Sequence, residues 1–208
     1  MQSRLWMVLA GLAVVFAALI LMRPLLPIDE TRYLAVAWEM RLSGDPVHLT
    51  KNFGLYTHKT PLLFVMINLV WLITGVSEFA ARLVGPACGV VMVAGTAALA
   101  RRFWPARPEL AVRAALILSG FALFLIYASA TMFDALLSLA VLAGVAALWR
   151  IGQGGATRKA WVVFGAALAL GVYAKGPVLL VHLLPLLLSI RLWAPNPPKM
   201  TEAAKGFG

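Results

Sequence analysis

Long apolar stretches separated by short polar ones dominate this sequence. Apolar runs of spanning length occur at 5–22, about 82–100, 110–127, 133–150, 160–174 and 177–193. A helix needs roughly 20 residues to cross the hydrocarbon core of a bilayer. The runs are rich in Leu and Ala and lack the alternation of strands, so helices are favoured over a barrel. The pattern predicts an all-α membrane protein with about six transmembrane helices.

The polar segment after the first run has apolar patterns of its own. Leu34, Trp38 and Leu42 recur at i, i+4 and i+8 among charged residues, which predicts an amphipathic helix lying at the membrane interface. A further apolar run, 61–75, has 15 residues and is short for a span but long for a loop. Its placement depends on the distribution of charge.

The charge balance favours a topology in which 61–75 does not cross. The chain has 18 Lys and Arg against 8 Asp and Glu, a net charge of +10, and 62% of its residues are hydrophobic. If 61–75 crossed, four arginines in 101–113 would face outward, against the positive-inside rule for short loops. We therefore predict that 61–75 lies along the interface or dips in and returns, with both termini in the cytoplasm. The same rule explains the basic charge without a nucleic-acid partner.

This topology groups the remaining polar segments. Arg4 precedes the first run and Arg23-Pro24 follows it, a pattern typical of an uncleaved signal anchor. The outer side then holds the loop 23–60, the turn at Asp134 and the turn at Lys175. The domain prediction is a transmembrane module over 1–193 and a Pro-rich cytoplasmic tail over 194–208.

Three of the eight acidic residues lie at the outer ends of predicted helices: Asp29, Glu30 and Asp134. Ionisable groups at membrane depth are costly, so they are functional candidates. Structural roles remain open beside the functional ones. Asp29 could cap the following helix, with Glu30 in its first turn. Asp134 could cap its own helix or form an ion pair with Lys175.

The segment before the run 61–75 holds further candidates. Lys59 could be a snorkelling residue or could bind a phosphate head group. His58 could be a metal ligand or a proton shuttle. No local motif defines a metal site; Asp29 would suit Mg²⁺ or Mn²⁺, and the addition of His58 would suit Zn²⁺. A divalent metal is thus a possible cofactor, and none is certain.

Five motifs in order resemble a known family. They are Asp29-Glu30, YTHKTPLL at 56–63, EFAARL at 78–83, FDAL at 133–136 and AKGP at 174–177. The chain resembles the polyprenyl-phosphate-sugar glycosyltransferases of the GT-C fold, in particular the bacterial relatives of protein O-mannosyltransferases that include lipid A aminoarabinose transferases. The resemblance covers nearly all of this chain but only the N-terminal part of a typical member. One departure is Thr60-Pro61, where the family often has Pro-Pro after the lysine.

The resemblance implies roles for individual residues. Asp29 would act in catalysis, as a base on the acceptor hydroxyl or through a metal, with Glu30 beside it and Asp134 as the second acidic residue of the site. Lys59 would hold the donor's phosphate. Substrate-binding roles are implied for three more residues: Tyr56, His58 and Lys175.

The function implied is transfer of a sugar from a polyprenyl-phosphate carrier to a lipid A, protein or polysaccharide hydroxyl at the periplasmic face of the bacterial inner membrane. Such chemistry needs a cation near the departing phosphate and a carboxylate near the attacking oxygen. We expect a truncated chain that is inactive on its own if later segments are needed. Two alternatives stay open: a non-catalytic remnant or polyprenyl-lipid-binding subunit, and a small transporter with Asp134 and Lys175 as an ion-coupling pair.

Overall fold

The computed structural model describes residues 2–198, which fold almost entirely as α-helices. The only regular strands in this range form one short antiparallel hairpin in the first polar loop. The elements, in chain order, are α1 (Gln2–Met22), α2 (Asp29–Ser43), β1 (Thr50–Lys51), β2 (Gly54–Leu55), α3 (Leu62–Thr74), α4 (Glu78–Arg82), α5 (Val84–Phe103), α6 (Leu110–Gly120), α7 (Ala122–Ser129), α8 (Phe133–Gly152), α9 (Arg158–Lys175), α10 (Val178–Leu188) and α11 (Ile190–Trp193). The predicted all-α class is confirmed.

Within residues 2–198, three helices are long and apolar enough to cross a membrane: α1, the continuous pair α4–α5 over Glu78–Phe103, and α8. A fourth span results if α6 and α7, which meet at 73°, form one bent crossing. About six spans were predicted. The difference lies in the last two runs, because the 18 residues of α9 include Arg158, Lys159 and Lys175, and α10 has only 11 residues. Both runs are nevertheless helical.

The run 110–127, predicted as one helix, is broken in the middle. Gly120 ends α6, and Phe121 has extended backbone angles before α7 begins. The peptide groups on either side of Phe121 therefore cannot continue the hydrogen-bond ladder of α6. Nothing in the apolar pattern of this run indicates the break except the glycine itself.

The run 61–75 forms α3, which has 13 residues. At 1.5 Å per residue it is about 20 Å long, well short of the roughly 30 Å hydrocarbon core. Its length agrees with the prediction that it does not cross. It packs instead on α2, where Val36, Ala37 and Met40 are buried against Phe64 and Ile67.

The predicted amphipathic helix is α2, but its buried face is not the predicted apolar stripe. Tyr33, Val36 and Met40 pack into the protein, while Trp38 and Leu42 of the stripe remain exposed. The helix thus has two apolar faces. One is covered by protein, and the other is open, as an interfacial helix requires.

The chain divides into two units, Met1–Leu136 and Leu137–Gly208. In the first unit, a second apolar cluster joins α1, α5, α6 and α7 around Phe16, Val93 and Ala115. Close approach is possible here because α5 carries small residues. A side chain at Gly85 would overlap the carbonyl oxygen of Ala130 in the α7–α8 link.

The second unit has its own core, formed by Leu148, Phe164, Leu179 and Leu183 among others. The first residues of the predicted tail 194–208 are attached to this unit, since the amide of Asn196 donates a hydrogen bond to the carbonyl of Gly152 (3.0 Å). The rest of that predicted tail, from Lys199 onward, lies outside the described residues.

Candidate functional site

Glu30 occupies the centre of a hydrogen-bonded network at one end of the first unit. Its side chain is fully buried, and both carboxylate oxygens accept hydrogen bonds. Oε2 accepts from the Arg23 guanidinium (2.5 Å) and the Leu26 amide (2.8 Å). Oε1 accepts from the same guanidinium (3.2 Å) and from the Thr131 amide (2.8 Å). The first polar loop and the α7–α8 link therefore meet at this carboxylate.

These contacts decide the charge state of Glu30. Burial raises the pKa of its carboxyl group, but the hydrogen bonds from Arg23, Leu26 and Thr131 together outweigh burial, so the pKa lies below its ordinary value. With two strong donors on each oxygen, the carboxylate has little capacity left for a substrate proton. The catalytic role expected for Glu30 stays a prediction, while its geometry is that of a positioning residue.

Two arginines extend the network, and sequence reasoning assigned neither of them a role in the site. The Arg23 guanidinium also donates to the carbonyl of Ser129 (3.3 Å). Arg82, only 4% exposed, donates to the carbonyl of Arg23 (2.8 Å) and pairs with Glu78 (3.1 Å). The signal for Arg82 was present in the motif at 78–83, because a lone arginine in a short helix between apolar runs needs a partner.

Asp29 is differently placed from Glu30. It is the first residue of α2 and does not cap that helix, because the N-cap position is Ile28 and no side chain caps there. Its Oδ1 accepts hydrogen bonds from Arg32 (2.7 Å) and from the Tyr33 hydroxyl (3.2 Å). The side chain is 45% exposed, and its Oδ2 makes no hydrogen bond to any residue of 2–198. One oxygen of Asp29 is therefore oriented by the protein and the other is open.

A cluster of four aromatic rings connects Asp29 with Lys59. Tyr33, which bonds Asp29, packs edge-on against Phe133 (4.9 Å between centroids), and Phe133 packs edge-on against Phe64 (5.5 Å). The Lys59 ammonium lies over the Phe133 ring, 5.6 Å from its centroid. Within residues 2–198, no carboxylate lies at salt-bridge distance from Lys59. The positive charge of Lys59 is thus held over an aromatic face and left available.

Tyr56 is the fourth member of this aromatic cluster. Its ring packs against Phe64 (6.3 Å), is 6% exposed, and carries a hydroxyl that has no hydrogen-bond partner in the described part of the chain. Burial raises the pKa of Tyr56, and the nearby Asp29 charge raises it further, while Arg32 acts in the opposite direction. His58 is exposed and lies against the Tyr56 ring (5.5 Å). An unpartnered buried hydroxyl between charged groups is a candidate donor to a substrate.

The two remaining candidates belong to different units. Asp134 is in the first turn of α8, next to Phe133 of the aromatic cluster, and is half-buried. Lys175 ends α9 in the second unit. The Asp134–Lys175 pair of the transporter hypothesis stays a prediction. Across residues 2–198, no three His, Cys, Asp or Glu side chains form a group that could hold a metal ion, so a metal role for Asp29 or His58 also stays a prediction.

Comparison with known proteins identifies the family. The model of the dolichyl-phosphate-mannose-protein mannosyltransferase family matches residues 58–203, which include Lys59, Asp134 and Lys175. The chain belongs to this family. The match begins after Asp29 and Glu30, so the family model does not include those two residues.

A curated relative supports this membership, and two solved structures have a similar fold. An undecaprenyl phosphate-alpha-4-amino-4-deoxy-L-arabinose arabinosyl transferase 2 of Pseudomonas fluorescens is 30% identical over 166 residues, which are 78% of this chain and 28% of that protein. The crystal structure of ArnT from Cupriavidus metallidurans bound to undecaprenyl phosphate superposes with a TM-score of 0.74 at 23% identity, over 96% of this chain and 38% of that one. The apo structure gives 0.73 at 25% identity, over 89% and 35%.

These comparisons show the fold and how far it extends. The chain has the GT-C membrane fold expected from its motifs, and it spans just over a quarter of the curated relative. The spatial grouping expected from charge counting also holds within the first unit. Glu30 of the polar loop touches Thr131, three residues before Asp134, so that loop and the start of α8 share one end of the helices.

Proposed function

We propose that this chain binds a polyprenyl-phosphate-linked sugar and takes part in its transfer to a hydroxyl group of lipid A, a protein or a polysaccharide. The observation that carries the proposal is the placement of Asp29 and Lys59 around one aromatic cluster. An open carboxylate oxygen and a cation without a carboxylate partner are the two charges that this transfer needs.

Asp29 supplies the base. In the transfer, the bond between the anomeric carbon and the phosphate oxygen breaks, and a bond to the acceptor oxygen forms. The acceptor proton moves to the open Oδ2 of Asp29. Arg32 and the Tyr33 hydroxyl hold Oδ1 from the other side, which fixes the direction of the carboxylate. A base held in one orientation avoids reorganisation during the reaction.

Lys59 supplies the positive charge that stabilises the departing lipid phosphate. Negative charge accumulates on the lipid phosphate as the sugar departs, and an ammonium group stabilises it as it develops. The Phe133 ring under the ammonium keeps it in place without neutralising it. The Tyr56 hydroxyl, which lacks a partner among residues 2–198, donates a hydrogen bond to the sugar or phosphate.

The other predicted residues have supporting roles in this proposal. Glu30 holds the polar loop against the α7–α8 link and thereby positions Asp29, its neighbour in α2. His58, exposed beside Tyr56, contacts the substrate, and Asp134 is the second carboxylate of the site. Lys175 binds substrate. Asp29 alone, or with His58, is where a divalent metal would be held if the reaction uses one.

The names of the relatives support the class of donor. The curated relative is named for transfer of a 4-amino-4-deoxy-L-arabinose from undecaprenyl phosphate, and the solved structure is bound to undecaprenyl phosphate. We propose the same carrier and a pentose as the sugar. By the same reasoning the protein belongs to the bacterial inner membrane, with the Asp29 site at the periplasmic face.

The test separates binding from transfer, because the chain covers only 28% of its relative. Membranes containing the chain are supplied with polyprenyl-phosphate-linked radiolabelled aminoarabinose, and both retained carrier and labelled acceptor are measured. Lys59→Gln should weaken carrier binding about tenfold, and Asp29→Asn should abolish transfer and spare binding.

Two residues of the same loop provide matched controls. Asp45 and Lys51 lie outside the aromatic cluster, so Asp45→Asn and Lys51→Gln should change neither measurement. If Lys59→Gln and Lys51→Gln behave alike, Lys59 is not the phosphate-binding residue. If the chain retains carrier and transfers nothing, the second candidate function, a carrier-binding module without its own transferase activity, replaces the first.

A further inference from the structure

A charged cleft lies at the opposite end of α1 from the Asp29 site. It has a volume of about 840 Å³ and lies between the first turns of α1 and α6. Three charged residues and four apolar ones line it: Arg4, Glu109, Arg113, Met7, Val8, Val112 and Leu116. Because α1 has 21 residues, its length of about 31 Å separates the two sites.

The charged side chains of this cleft have no partners of their own. Within residues 2–198, the side chains of Arg4, Glu109 and Arg113 form no hydrogen bond or ion pair, although Glu109 and Arg113 are one helical turn apart. All three are exposed at the mouth of the cleft. Below them, Met7 and Leu116 expose apolar surface. The cleft therefore presents two cations and one anion above an apolar wall.

This arrangement matches one class of ligand. We propose that the cleft binds a phospholipid whose head group carries both a phosphate and an ammonium group, as phosphatidylethanolamine does. The two guanidinium groups bind the phosphate, for which their planar donors are suited. The Glu109 carboxylate accepts from the ammonium group, and the acyl chains lie along Met7, Val112 and Leu116.

Glu109 is the residue of the cleft that favours a zwitterionic lipid over an anionic one. A head group with phosphate alone would be attracted by the two arginines but repelled by the Glu109 carboxylate. A zwitterionic head group satisfies all three charges, so that no charged group is left without a partner at the interface. The sign of the effect of removing the Glu109 charge therefore decides between the two classes of lipid.

The experiment uses the delipidated chain in detergent and native mass spectrometry. Phosphatidylethanolamine and phosphatidylglycerol with identical acyl chains are titrated separately. Arg4→Ala combined with Arg113→Ala should raise the dissociation constant for phosphatidylethanolamine about tenfold. Because Glu109 is exposed, Glu109→Gln should weaken phosphatidylethanolamine binding severalfold, as the loss of one exposed ion pair would, while phosphatidylglycerol binds as well as before or more tightly.

Two further variants make the result unambiguous. Arg102→Ala combined with Arg107→Ala removes the same charge from exposed positions outside the cleft and should change nothing. Leu116→Trp narrows the cleft at an exposed position and should weaken lipid binding even if the arginine variant fails to fold. The proposal is overturned if Glu109→Gln tightens phosphatidylethanolamine binding, if the control weakens it equally, or if the chain retains none of this lipid.

Discussion

Replacing Glu30 by glutamine should cost much of the stability of the first unit, although the two side chains have the same shape. Each oxygen of Glu30 faces two N–H donors. A glutamine must put its own NH₂ group on one side, where it meets donors only. Two hydrogen bonds are then lost whichever way the amide is oriented.

The size of the loss follows from these contacts. A hydrogen bond to a charged group contributes about 1.5–3 kcal/mol, so two of them give about 3–6 kcal/mol. Arg23 is 23% exposed, so water can reach part of its guanidinium and the lower end applies. We expect Glu30→Gln to lower the free energy of unfolding by about 3 kcal/mol.

The assay is equilibrium unfolding by SDS in mixed micelles, followed by circular dichroism. Glu78→Gln is the matched control, because Glu78 pairs with Arg82 but is 55% exposed, and such a pair contributes about 1 kcal/mol or less. Arg23→Gln and Glu30→Gln combined should cost less than the two single changes added together. If Glu30→Gln costs no more than Glu78→Gln, the reasoning that makes Glu30 the centre of the network is wrong.

Three further predictions concern the same unit. The pKa of Glu30 is lower in the folded state than in the unfolded state, so ionised Glu30 stabilises the fold at neutral pH. This stabilisation is lost on acidification below the ordinary glutamate pKa. The free energy of unfolding, measured between about pH 6 and pH 3, should therefore depend less on pH in Glu30→Gln than in the unchanged protein. Gly85→Ala, whose Cβ would overlap the Ala130 carbonyl, should cost about 1–3 kcal/mol in the SDS assay, whereas Gly11→Ala, which meets no neighbour, should not destabilise. Tyr56→Phe removes a hydroxyl without a described partner, so stability should hold while carrier binding weakens.

The helical class and the grouping of polar segments could be predicted because they depend on patterns that span many residues. Apolar runs predict the helices, and the placement of arginines predicts the side of the membrane on which each polar segment lies. Neither prediction needs knowledge of how side chains pack. Arg4 and Arg113 line one cleft, so the starts of α1 and α6 lie at the same end of the first unit, as the predicted placement of 61–75 requires. The break at Phe121 depends on a single peptide unit, and an apolar pattern carries no information about it.

The sequence could predict which residues are candidates for the site, but not which environment each side chain has. Asp29 and Glu30 are neighbours in sequence and look equivalent there. Adjacent residues of a helix point about 100° apart, so one carboxylate is half open and the other is enclosed. The partners that enclose Glu30 include a backbone amide 101 residues away, and no local pattern identifies such a donor. Periodicity likewise predicted α2 as an amphipathic helix from Leu34, Trp38 and Leu42, but it did not reveal the second apolar face that packs against protein.

The hydrogen bond between Glu30 and Thr131 also sets an order of events during synthesis. When Glu30 leaves the ribosome, only Arg23 and Leu26 are available to it, and the amide of Thr131 is made 101 residues later. At about 5–20 residues per second, that interval is about 5–20 s. Throughout it, the polar loop is attached to the membrane by α1 but lacks its later anchor. The loop that bears Asp29 and Lys59 is therefore completed late, because one of the contacts that hold it forms only after Thr131 has been made.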